Sequence, residues 1–277
     1  MMPVTSRENA IYIIDSAEYK SQLKNLPKDL DLPLLSSVDA DKYPEAAKMQ
    51  FKNGQWCIQL PASKTLVSVD FADVRIAARS QSLALNKEYI VRAVLGRKKH
   101  QQPLRVLDAT AGFGQDSYLL AAAGCQVILI EHIPLLAYLL KQAVLRAANE
   151  ANQLNTDAAK RMKVINGDSI ALMQHWTDAR PDVIYLDPMY AHPKDEQGKG
   201  LKKAAAVKKN MVFLQYLTRQ QDAGLYGEGM IEAALALAAS KVVVKRAPGA
   251  QWLGDIKPGS EISGKSARFD IYPTNNQ

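Results

Sequence analysis

From residue 104 onward the chain alternates short apolar runs with longer amphipathic ones. The runs 104–107, 126–130, 162–165, 183–186 and 242–244 carry three to five mostly apolar residues each, as strands buried on both faces do. Between them, apolar residues recur at helical spacing. One such stretch begins at Asp116 and stops at Gly124, and another holds Leu135, Leu136, Leu139, Leu140, Val144 and Leu145 behind Pro134. Further helices are predicted from Ile170, around Phe213, Leu214 and Leu217, and over 231–239. Strand alternating with helix predicts an α/β fold with a parallel, doubly wound sheet. A last strand at 269–272 is expected to close that sheet in the antiparallel sense.

The first 70 residues follow a different pattern. Residues 11–14 predict a short strand, and 29–44 are rich in Asp, Pro and Ser and read as loop. Residues 51–60 read as a hairpin turning at Asn53-Gly54, and 67–71 alternate well enough for another strand. A helix is predicted over 83–95, ending at Gly96. These features divide the chain into a small β-rich N-terminal domain, 1–75, and a larger domain, 76–277.

The chemistry concentrates at strand ends. After the run 104–107 comes Asp108-Ala-Thr-Ala-Gly-Phe-Gly114, a small-residue turn leading into a helix. Strand, glycine turn and helix form a nucleotide crevice at the carboxyl edge of an open sheet, so Asp108, Gly112 and Gly114 are candidate cofactor-binding residues. The spacing is not that of a dinucleotide fingerprint. The next strand ends in Glu131, a carboxylate able to accept both ribose hydroxyls of an adenosine or to start the helix behind it. At the third strand end, Asp168 and Ser169 can accept an adenine amino group or cap the following helix.

The fourth strand delivers Asp187-Pro-Met-Tyr190. An exocyclic amine on a nucleobase is a poor nucleophile, because its lone pair is delocalised into the ring. Acceptors on its N–H groups, here the Asp187 carboxylate and the Pro188 carbonyl, favour the reoriented nitrogen. Tyr190 offers a face on which a splayed-out base stacks. Asp187, Pro188 and Tyr190 are therefore the candidate catalytic residues. Together the two motifs predict methyl transfer from S-adenosylmethionine to a base amine, on a class I (Rossmann-like) methyltransferase sheet.

Charge bears on the partner class without deciding it. The formal net charge is +7, and the stretch 192–209 holds six lysines against two acids. Such a segment suits either plain solvation or a polyanion. Cys57 and Cys125 have no metal-like spacing, and no histidine–cysteine cluster predicts a metal. Neither a signal-peptide pattern nor a membrane-length apolar run occurs, so a cytoplasmic location is expected.

The segments 107–116, 186–190, 207–213, 242–246 and 268–272 resemble the RsmJ family, whose members methylate the N2 amine of one guanine in bacterial small-subunit ribosomal RNA. The resemblance spans roughly 100–273. It implies cofactor contacts at Gln115 and Asp116, Glu131 and His132, Asp168 and Ser169, and Asp187. It also implies ribosomal RNA or the small ribosomal subunit as partner, with Lys202, Lys203, Lys208, Lys209, Lys245 and Arg246 as the RNA-binding candidates. Where the family usually has arginine, this chain has Gln115 and His132. An amine methyltransferase acting on DNA or another RNA, and a non-catalytic RNA-binding assembly factor of the same fold, are the alternatives.

Overall fold

A computed structural model describes residues 11–30, 32–36, 39, 42–44, 46–61, 66–97, 100–151, 153–188, 205–218 and 229–274, without the side chains of 82, 153, 154, 205–209, 215 and 218. The chain forms two compact units: Met1–Val69 with Lys194–Ala223, and Asp70–Pro193 with Gly224–Gln277.

The first unit is built on a five-stranded sheet of β1 (Ile11–Asp15), β2 (Leu34–Ser36), β3 (Ala47–Lys52), β4 (Gln55–Gln59) and β5 (Leu66–Val67), in the order β2-β1-β3-β4-β5. Strands β3 and β4 are the predicted hairpin. Its turn holds Asn53 and Gly54 at φ 51° and 76°, the left-handed pair that matches strand twist. A strand, β2, lies inside the expected loop 29–44, because Leu35 has a buried place beside β1. The expected strand 67–71 pairs only at Leu66 and Val67; Val69 and Phe71 are buried without joining the sheet. The helix Ala205–Thr218 belongs to this unit, and Tyr216 accepts the Ala47 amide at 3.2 Å through its hydroxyl.

The second unit holds the seven-stranded sheet. Its strands are β6 (Arg105–Asp108), β7 (Gln126–Glu131), β8 (Met162–Asn166), β9 (Val183–Leu186), β10 (Lys241–Arg246), β11 (Ser260–Ser263) and β12 (Arg268–Pro273), ordered β11-β12-β10-β9-β6-β7-β8. Strands β8, β7, β6, β9 and β10 are parallel neighbours, and β12 runs antiparallel to β10. The last strand does not close the sheet as expected: β11, with only one half-buried residue, pairs outside it. Chain order reverses between β6 and β9, so their carboxyl ends flank the switch point at which such sheets bind ligands.

Strand alternation sorts the side chains. Leu107, Ile184, Leu186, Val242 and Val244 pack with Met173, Met230, Ile231 and Ala234 in one buried cluster. The opposite parity holds Asp108, Tyr185 and Val243 in one register row, with Asp187 and Lys245 two residues further along their chains. Four polar groups thus share the face that the helix Gln115–Ala122 covers at its amino end. The predicted helix 83–95 is interrupted. Ser82–Leu85 and Tyr89–Leu95 are separate helices, and Glu88 leaves the helical conformation to bind Arg79 through two bonds of 2.8 and 2.9 Å. Among the described residues no helix is long and apolar enough to cross a membrane.

Gly114 begins the helix Gln115–Ala122 at φ 68°, and a Cβ there would lie 2.6 Å from the buried Leu140 Cδ1. Replacing Gly114 by Ala therefore combines left-handed strain with overpacking. A loss of about 1–3 kcal/mol is expected, read as a lower urea midpoint at unchanged slope.

Candidate active site

The glycine turn is fixed from three sides. Asp108, 2 % exposed at the end of β6, accepts the Thr110 amide at 3.0 Å and the Ser117 hydroxyl at 2.5 Å. Glu131, at the end of β7, accepts the Gly112 amide at 2.9 Å and the Ile133 amide at 2.8 Å, one on each carboxylate oxygen. Ser169 donates to the Ala109 carbonyl. Thr110 then reaches across the switch point, where its Oγ1 accepts the Asp187 amide at 2.6 Å. The two predicted motifs meet at this bond.

Beside that bond lies a charged cluster. The Lys245 ammonium is 2.7 Å from Asp116 Oδ2 and 2.9 Å from Asp187 Oδ2. The Tyr185 hydroxyl donates to the same Asp116 oxygen at 2.7 Å. The two carboxyls diverge. At Asp116, burial opposes ionisation, but the Lys245 charge and the bonds from Lys245 and Tyr185 outweigh it and hold the carboxyl below its ordinary range. At Asp187, burial dominates and the Asp116 charge adds to it, so Lys245 only partly offsets the upward push. Because 41 % of the Asp187 side chain is open to solvent, water tempers that push. Burial also opposes the Lys245 charge, yet the two carboxylates raise its pKa well above the usual lysine range. Burial raises Tyr185 as well, and neighbouring Asp116 reinforces the shift, so Tyr185 stays a neutral donor.

The donor set can be tested against the cofactor it is expected to hold. Asp108, Glu131, Asp168 and Asp187 stand at or just past the carboxyl ends of neighbouring strands, and Asp116 lies in the first turn of the helix after β6, with Lys245 bonded to Asp116 and Asp187. This carboxylate-rich rim suits a cationic sulfonium and the hydroxyls of a ribose, and it opposes a pyrophosphate. Glu131 is oriented by backbone donors and retains lone pairs for hydroxyls. The residues fit S-adenosylmethionine. Among the described residues no group of three His, Cys, Asp or Glu side chains is placed to hold a metal.

Most of the sequence candidates converge. Asp108, Gly112, Gly114, Gln115, Asp116, Glu131, His132, Asp168, Ser169, Asp187 and Pro188 all lie at or after the carboxyl ends of β6 to β9. Asp168 caps the helix Ser169–Gln174 through the Ala171 amide at 2.7 Å, and Ser169 is buried against the turn. His132 lies 3.2 Å from Glu131. Tyr190, Lys202 and Lys203 lie outside the described residues, as do the side chains of Lys208 and Lys209. Two RNA-binding candidates are placed elsewhere. Lys245 points into the carboxylate cluster, and Arg246 is 8 % exposed with Nε and Nη2 on the Gln251 carbonyl. Sequence reasoning missed Thr110 and Tyr185. Thr110 was the one hydroxyl in the small-residue turn, and Tyr185 the one polar tip in an apolar strand.

Asp108 supplies a pH signature. Burial pushes its carboxyl up to about 7, while Ser117 and Thr110 pull it down. The folded chain therefore holds this proton more tightly than the unfolded one. The stabilisation is complete below the ordinary carboxyl range near 4 and is lost as pH rises through about 7, on the order of 4 kcal/mol in all. In Asp108→Asn that term should vanish. Urea denaturation from pH 4 to 8 should show the wild-type chain losing stability with rising pH, and the variant losing much less.

Comparison with known proteins places the chain in a family. A family profile described as "Putative SAM-dependent methyltransferase" matches residues 43–274. A ribosomal RNA small subunit methyltransferase J from Stutzerimonas stutzeri is 43 % identical over 208 residues, 75 % of this chain and 74 % of that protein. Its counterpart from Thioalkalivibrio sulfidiphilus is 37 % identical over 261 residues, 94 % and 95 % of the two chains. A crystal structure of a SAM-dependent methyltransferase from Neisseria gonorrhoeae superposes with a TM-score of 0.68 at 26 % identity, covering 97 % of each chain. The sheet is thus that of a Rossmann-like methyltransferase, its cofactor is S-adenosylmethionine, and the chain belongs to the ribosomal RNA small subunit methyltransferase J family of SAM-dependent methyltransferases.

Proposed function

We propose that the chain transfers a methyl group from S-adenosylmethionine to the N2 amine of a guanine in bacterial small-subunit (16S) ribosomal RNA, acting in the cytoplasm. The observation that carries this reading is the 2.6 Å bond between the Asp187 amide and Thr110 Oγ1, which sets an amine acceptor against the cofactor turn. Relatives named ribosomal RNA small subunit methyltransferase J, alike over most of the chain, support the RNA class.

Bound S-adenosylmethionine supplies a methyl on a positively charged sulfur, which leaves with the C–S electron pair. Glu131 holds the ribose hydroxyls, with Gly112 and Gly114 giving the backbone close approach. Asp168 serves the adenine end through the oxygen not used in capping, and Gln115, Asp116 and His132 line the remainder. Asp187 and the Pro188 carbonyl accept from the guanine N2 hydrogens, and Tyr190 stacks on the base. Positioning the amine in line with the methyl accounts for much of the rate. Asp187 takes the proton that the nitrogen loses. Its raised pKa makes it a better base than an ordinary carboxylate at neutral pH.

RNA recognition falls to the basic stretch that follows Tyr190 directly in sequence, with Lys202, Lys203, Lys208 and Lys209 neutralising phosphates.

Small subunits from cells lacking the protein, incubated with it and labelled S-adenosylmethionine, should gain label in N2-methylguanosine at one position. Asp187→Ala should lower the single-turnover rate about 10²–10³-fold. Label in a different nucleoside, or an undiminished rate in the variant, would contradict the assignment.

A further inference from the structure

We propose that Lys245 is a positioning residue for the transfer step, clamping the Asp187 carboxylate against Asp116 so that Asp187 is held in place as an ionised acceptor. This rests on the reading of Asp187 as the group that meets the base amine. Lys245 was expected among the RNA-binding residues, but its geometry gives it different work. It is the fifth residue of β10, paired with Phe269 of β12 on one side, and its predecessor Val244 pairs with Leu186 of β9 on the other. The ammonium therefore extends from a strand held at both edges. It contacts Asp187 at 2.9 Å and Asp116 at 2.7 Å.

A salt bridge between two surface groups would be replaceable. This one differs because each partner is held a second time. The Asp187 amide is bound by Thr110, and the contacted Asp116 oxygen also accepts from Tyr185. Only Oδ2 of Asp187 is engaged by Lys245. Among the described residues Oδ1 has no donor, which leaves one oxygen to take the amine proton and pass it to water.

The groups that set the charge on Asp187 come from every neighbouring element. Lys245 and Arg246 on β10 favour its anion, and Asp116 on the covering helix opposes it. Arg79, itself paired with Glu88, favours the Asp116 anion, and Asp108 and Tyr185 lie beside the two carboxyls. Removing Lys245 leaves Asp187 facing Asp116 with no cation bonded between them. Two neighbouring carboxyls then share a proton, and the acceptor is lost at neutral pH.

Lys245→Met and Lys245→Arg in the full chain test this. Single-turnover methylation of small subunits, measured against pH, should show the acidic limb of Lys245→Met moved up by about 1–3 units, with Lys245→Arg restoring it. In the chain without cofactor, carbon-13 NMR of labelled aspartate, assigned through Asp187→Asn, should show the Asp187 titration moving up in Lys245→Met and staying near wild type in Lys245→Arg. Lys245→Gln replaces the Met variant if that chain does not fold. An Asp187 titration unmoved in a folded Met or Gln variant would overturn the proposal and leave Lys245 a structural counter-ion. A wild-type chain that methylates no ribosomal RNA would instead overturn the proposed function, and the NMR titration would still decide whether Lys245 governs Asp187.

Discussion

The hydrogen bond from the Asp187 amide to Thr110 Oγ1 closes the site. Each turn alone is a common strand exit. Thr110 belongs to a turn that Asp108, Glu131 and Ser169 hold by side-chain bonds to its backbone or from it, and this bond extends the same rigidity to the Asp-Pro segment. The arrangement follows from topology. Strands β6 and β9 are parallel neighbours in register from Val106 and Val183, so their following residues must emerge side by side.

Electrostatics then sets what the shared edge can hold. Burying carboxylates is costly without compensation. The chain compensates with backbone amides on Glu131 and one ammonium between Asp116 and Asp187, while at Asp108 the hydroxyl and amide donors offset burial only in part. The result separates two aspartates of the same chemistry. Asp116 is stabilised as an anion, and burial with the neighbouring Asp116 charge raises the Asp187 carboxyl above its ordinary range. Environments that drive like groups apart are how one site assigns separate roles to them.

The parallel core was legible in the sequence because strands buried on both faces read as unbroken apolar runs, each closed by an acid or a turn. Glu131 and Asp187 were legible as strand-end acids, and the two Glu131 oxygens accept the Gly112 amide of the turn and the Ile133 amide at the start of the next helix. Lys245 did not. A lysine after three valines reads as an exposed strand end, and only the order β9-β10-β12 shows that its neighbours are carboxylates. The break in the helix predicted over 83–95 was hidden for a similar reason. Apolar spacing favoured continuity, but Glu88, inside the interruption, takes an extended conformation and pairs with Arg79 of an earlier helix. The antiparallel partner at 260–263 was missed because Ser, Glu, Ile and Ser carry almost no strand pattern, and its pairing to β12 is made by backbone bonds.

A crystal structure of the chain with S-adenosylhomocysteine tests the central claim most directly. The account predicts a ribose on Glu131, backbone contact at Gly112 to Gly114, and the sulfur facing the Asp187 carboxylate across the Thr110 bond. A cofactor seated away from that edge, or a bound state in which the Thr110 and Asp187 turns have separated, would contradict it.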